Sequence, residues 1–191
     1  ADDAVQRRAQ LVAHVREELA LGAARRLCRF AGRVLLGDIH AQADHAATAF
    51  TWDMFVMAGN PSLHTDTMAG TSNVNADNMF NSPDGLSFDA SGRLWIQTDG
   101  DYSNAKDFAG MGNNQMLCAD PASGEIRRFM VGPVACEITG IAFAPDQKTL
   151  FVGIQHPGEG LKPSHFPKGG EAIPRSCIVA IHREDGGVIG D

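Results

Sequence analysis

Two stretches decide the fold: SPDGLSFDASGRLWIQTDGD at residues 82–101 and EITGIAFAPDQKTLFVGIQHPGE at residues 137–159. Each sets an acidic residue and a Gly by a short apolar run, then a turn, then a second apolar run that ends in polar residues. Aligning Gly85 with Gly140 brings Leu86 against Ile141 and Phe88 against Phe143. One extra residue in the second turn then brings Leu94 against Leu150 and Trp95 against Phe151. The offset of 55 residues leaves room for four short strands. Four antiparallel strands in a repeat of this order of length form the pattern of a propeller blade. Blades stand radially, so equivalent strand ends gather at one channel mouth, and polar residues repeated there are aimed at a shared site. The chain holds one clear blade and most of another.

Outward from the repeat, the texture from residue 50 onward is consistent with an all-β fold. FTWDMFVMAG (50–59) reads as a strand, and the polar stretch 62–81 as a long loop. QMLCAD, EIRRFMVG and SCIVAIHRE are further short strands, bounded by turns such as DASG, PASG and REDGG. Residues 1–45 differ: seven Arg, no Lys, and six acidic residues, so the surplus of acid in the net charge of −7 lies in the remainder. There Val5, Val12, Val15, Leu19, Ala23, Leu27, Phe30 and Val34 recur at steps of three, four or seven, the spacing of one helical face. The spacing predicts an amphipathic helix over 1–36, loosely attached to the sheets.

At 191 residues and 43% hydrophobic, the chain has material for a core. It has no apolar run long enough for a helical membrane span, and its first residues do not read as a signal peptide. The acidic balance argues against a nucleic-acid partner, which calls for a basic face. Cys28, Cys118, Cys136 and Cys177 are far apart, with no C-x-x-C pair, and read as buried free thiols.

Asp84, Asp99, Asp101, Glu137, Gln155, His156 and Glu159 lie at the ends of the repeated strands. Hard cations such as calcium take carboxylate and amide oxygens. Asp84 and Glu137 therefore read as metal or substrate ligands, whereas Asp101 and Asp146 read as turn formers that bind their own backbone. His156 in QHPGE, held extended by the following Pro, is a candidate ligand or proton donor, or a structural hydrogen-bonder. His14, His40, His45, His64, His165 and His182 read as scattered and solvent-facing. The Gly-rich GMGNNQ (110–115) has the texture of a phosphate-binding loop but lacks the P-loop motif, and no nucleophile-elbow or kinase signature is present.

The segments DHAATAFTWDMFVMAGNP, NMFNSPDGLSFDASGRLWIQTDGD, GNNQMLCADPASGEIRRFMVGP, CEITGIAFAPDQKTLFVGIQHPGE and SCIVAIHREDGGVIG, in that order, closely resemble the PhoX family of bacterial alkaline phosphatases. The resemblance covers about residues 44–191 and corresponds to the C-terminal portion of a longer protein. It implies a six-bladed propeller, of which this chain would carry about two to three blades as an incomplete fragment. It also implies a periplasmic or secreted enzyme exported by the Tat route, hydrolysis of small phosphomonoesters, and a mixed calcium and iron cluster at the channel mouth. By residue, it implies Glu137 as a catalytic and metal ligand, Asp84 and Asp99 as metal ligands, and His156 as a catalytic residue. Residues 1–43 depart from the family pattern and read as a joined or frame-shifted segment. Two other propeller functions suit PDGLSFDASGRLWI: a calcium-dependent lactonase or esterase of the gluconolactonase type, and a non-catalytic binding platform.

Overall fold

The structure, a computed structural model, describes the backbone of residues 25–30, 33–38 and 51–53, and backbone and side chains of residues 54–100 and 102–191. Among the described residues, ten strands fall into three antiparallel sheets. The first sheet has the order β1 (Arg25–Phe30), β2 (Arg33–Asp38), β3 (Thr51–Met57). The second is a four-stranded meander of β4 (Pro83–Phe88), β5 (Leu94–Thr98), β6 (Gln115–Ala119) and β7 (Ile126–Val131). The third is β8 (Glu137–Phe143), β9 (Thr149–Gln155) and β10 (Cys177–His182). Among the described residues the only helical turns are short 3-10 pieces, and no helix is long and apolar enough to cross a membrane.

The helix expected over 1–36 is corrected where it can be seen. Residues 25–30 and 33–38 are paired strands, with Leu27 opposite Leu36 and Cys28 opposite Leu35, and β2 pairs onward with β3. A short apolar run fits either period, and the sheet that β3 offers wins over spacing alone. Residues 1–24 of that expectation lie outside the described residues.

The sequence repeat is a structural repeat. Phe88 pairs with Leu94 and Leu86 with Ile96, just as Phe143 pairs with Leu150 and Ile141 with Val152. Both inner strands carry an irregularity at the repeat's Gly, between Pro83 and Leu86 in β4 and between Thr139 and Ile141 in β8. The two glycines serve different ends. A Cβ on Gly85 would meet the Gln97 side-chain oxygen at 2.3 Å, whereas Gly140 has open space but a φ of +56°, which favours glycine. Gln97, 2% exposed, donates its amide to the Gly140 carbonyl at 3.0 Å and so ties the second sheet to the third.

All five residues of β5 are buried because the second sheet is covered on both faces. Leu94 and Ile96 pack with Val56, Val74 and Phe80 on one side. Trp95 packs on the other with Met116, Ile138, Leu150 and Val152. Its ring meets Phe129 edge-on at 4.8 Å and Phe143 at a tilt at 5.5 Å, and its indole N–H donates to buried Asp89 at 3.0 Å.

Candidate active site

In antiparallel sheets the start of β4, the end of β5, the start of β8 and the end of β9 share one end, and four candidate residues sit there. Asp84 lies on the β4 irregularity, a device that re-aims a side chain at a sheet edge. Asp99 follows β5, with its backbone N–H donating to the Ser82 carbonyl at 3.1 Å. Glu137 opens β8. The register makes Thr139 the counterpart of Asp84 and Ser82 that of Glu137, so the carboxylates arrive from unlike positions. They nevertheless converge: an oxygen from each of Asp84, Asp99 and Glu137 lies within 4.8 Å of the other two. Glu137 is buried, Asp84 half-buried and Asp99 exposed.

Gln155, the cross-strand partner of Glu137, donates its amide to Glu137 Oε2 at 2.8 Å. The His156 imidazole stands beside the same oxygen, with Nε2 at 3.4 Å, while its Nδ1 is 3.6 Å from Glu159 Oε2 and makes no hydrogen bond. The backbone of His156 is not extended, as Pro157 led one to expect, but left-handed at φ +35°. Its N–H donates to Ser176 Oγ at 2.8 Å, and the Gly158 and Glu159 amides donate to Val134 and Ala135, so the segment turns sharply. A non-glycine residue in this region carries backbone strain of order ~1–3 kcal/mol.

The Gly-rich loop at 110–115 is no phosphate cradle. The Gly110 and Gly112 amides already donate to Asn104 Oδ1, at 2.7 and 3.3 Å, and Gln115 is buried with its amide donating to Met79. The buried amide of Asn114, in the same loop, links the end of β5 to the residue before Glu137. Nothing in its local sequence marked it, since the two segments meet only in space. His64 is half-buried and paired with Asp107 at 3.2 Å, so it is not the solvent-facing residue expected, whereas His165 and His182 are exposed. His14, His40, His45 and Asp101 lie outside the described residues. Asp146 is a turn former, accepting the Lys148 amide at 3.1 Å. Cys118, Cys136 and Cys177 are free thiols, and burial pushes the first two up to about 11 and about 12.

No curated protein matches the chain. The sequence pattern of the family described as alkaline phosphatase PhoX matches residues 26–158. That span begins inside the Arg-rich segment, so the match takes in residues 26–43, where departure from the family was expected. Among solved structures the chain is similar to Pseudomonas fluorescens PhoX in complex with vanadate, a transition-state analogue, with 64% identity and a TM-score of 0.79. The alignment covers 83% of this chain and 27% of that one, so the chain spans about a quarter of the length of the structure it matches. With its all-β sheets and a family match over most of its length, the chain belongs to the PhoX alkaline phosphatase family, a family of β-propellers.

Proposed function

We propose that this chain contributes a cation-holding part of a phosphomonoester hydrolase site, with Asp84, Asp99 and Glu137 as the ligands. The observation that carries the reading is the convergence of three carboxylates within 4.8 Å at one end of two repeated sheets, in a chain of an alkaline phosphatase family. A phosphomonoester is an anion, and three carboxylates alone would repel it. A bound cation inverts the sign of the site and makes it receptive to phosphate.

The donor set fits that role. Three carboxylates are hard oxygen donors of the kind calcium takes, and the His156 imidazole beside Glu137 is a donor type that suits iron. When bound, such ions supply charge neutralisation at the phosphoryl oxygens and an activated nucleophile. The chain's own residues orient and hold. Gln155 fixes the Glu137 carboxylate by its 2.8 Å hydrogen bond, and the bend at Asp84 turns a third oxygen inward. His156 serves as a further ligand or as a proton donor to the departing alkoxide.

The same reading makes the three sheets two to three blades of a six-bladed propeller, in an enzyme reaching the periplasm or exterior by Tat export. Family membership favours the phosphatase over the lactonase and the binding platform. Hydrolysis of a chromogenic phosphomonoester, with calcium and iron supplied and then chelated, tests it. Glu137→Ala is expected to abolish activity while circular dichroism stays that of the parent. Activity retained in that variant, or indifferent to chelation, contradicts the reading.

A further inference from the structure

We propose that Asn114 is the positioning residue that sets the separation of the Asp99 and Glu137 carboxylates. The inference rests on the cation-site reading above. Asn114 is 5% exposed, and every hydrogen-bonding position of its amide is used. Its Oδ1 accepts from Thr98 Oγ1 and from the Gly100 N–H, both at 2.8 Å. Its Nδ2 donates to the Gly100 carbonyl at 3.1 Å and to the Cys136 carbonyl at 2.9 Å. Thr98 and Gly100 are the two neighbours of Asp99, and Cys136 is the neighbour of Glu137. One side chain in the loop just before β6 therefore grips the backbone on both sides of one ligand and immediately before the other.

The grip matters because β5 and β8 belong to different sheets and share no ladder of hydrogen bonds. Gln97 joins the sheets further along, at Gly140. At the site itself, the spacing between the end of β5 and the start of β8 passes through the Asn114 amide. The grip is reinforced on both flanks. The backbone N–H of Gln115 donates to Thr98 Oγ1 at 2.9 Å, and the backbone N–H of Gly132 donates to the backbone carbonyl of Asn114 at 2.8 Å. A cation bound by several carboxylates requires their oxygens at set distances, so residues that hold ligands in place govern affinity without touching the ion.

Asn114→Asp is nearly isosteric. It keeps the acceptor for Thr98 and Gly100 but loses both donors and sets a carboxylate against the Gly100 and Cys136 carbonyls. Asn114→Ala removes the whole bridge. Ile126→Ala serves as a comparison, because Ile126 is a core residue at the turn end of β7, the end of the sheet away from the site. The experiment is calorimetric titration of the full chain with calcium chloride, alongside thermal unfolding without calcium.

We expect Asn114→Asp to remain folded and to bind calcium roughly 10–100-fold more weakly, the usual loss for an outer partner of a metal ligand. Ile126→Ala should unfold at lower temperature yet bind calcium as the parent does. A folded Asn114→Asp with the parent's calcium affinity overturns the proposal, even if Asn114→Ala unfolds. Glu137→Gln separates the two levels. If it binds calcium as tightly as the parent, or the parent binds none, the site reading fails. If Glu137→Gln loses binding while Asn114→Asp keeps it, only the positioning role fails.

Discussion

Gly85 and Gly140 occupy the same place in the repeat and are required for unlike reasons, which a pair of substitutions can expose. Alanine at 140 meets no atom within 4 Å but must hold φ near +56°, at a cost of about 1–2 kcal/mol. Alanine at 85 would set its Cβ 2.3 Å from Gln97 Oε1, displacing that side chain and breaking its bond to the Gly140 carbonyl, which leaves a buried amide without a partner. That penalty is about 1–3 kcal/mol. Denaturant unfolding should show both variants destabilised. In a double variant the losses should fall short of additive, because Gln97 links the two sites. At this scale the repeat made legible that Asp84, Asp99 and Glu137 stand at strand ends, but not that their oxygens converge, since Asp84 and Glu137 hold unlike positions in the repeat. The left-handed turn at His156 was not legible, because it depends on Ser176 and Val134 closing around it from elsewhere in the chain.

β5 joins the two cores, and its Trp95 is where their coupling is most concentrated. Trp95→Ala empties a fully buried site between Phe129 and Phe143 and strips Asp89 of one donor, so a loss of about 3–5 kcal/mol is expected in denaturant unfolding. The buried thiol of Cys136 and the half-buried thiol of Cys118 give an alkaline prediction. Burial favours the neutral thiol in the fold and raises its pKa from 9.0 to about 12 for Cys136 and about 11 for Cys118. Their contribution is therefore full below the unfolded value near 9.0 and is lost as pH rises through the folded values. Unfolding free energy measured across that window should fall, and Cys136→Ala should fall less steeply. An equal slope in that variant counts against the assignment. The short strands from β3 to β10 were legible because Gly-bearing turns punctuate alternating runs. β1 and β2 were not, because their apolar residues also fit a helical face and only pairing with β3 decides between the two.

Across the whole molecule, the internal repeat foretold the four-stranded sheet, since four strands were needed between Gly85 and Gly140 and four are there. It also explains an exposed face. Phe151 stands where Trp95 does, yet Trp95 is fully buried beneath the third sheet and Phe151 is 42% exposed. What joins the sheets at the site, the Asn114 amide, lay hidden in a Gly-rich stretch whose composition spoke for a loop. The central claim is that Asp84, Asp99 and Glu137 together hold a cation, and an X-ray structure of the chain crystallised in calcium chloride tests it most directly. The account predicts an ion with an oxygen from each of the three carboxylates at roughly 2.3–2.6 Å. Calcium-saturated crystals with no ion among these residues, or with the three carboxylates turned apart, would contradict it.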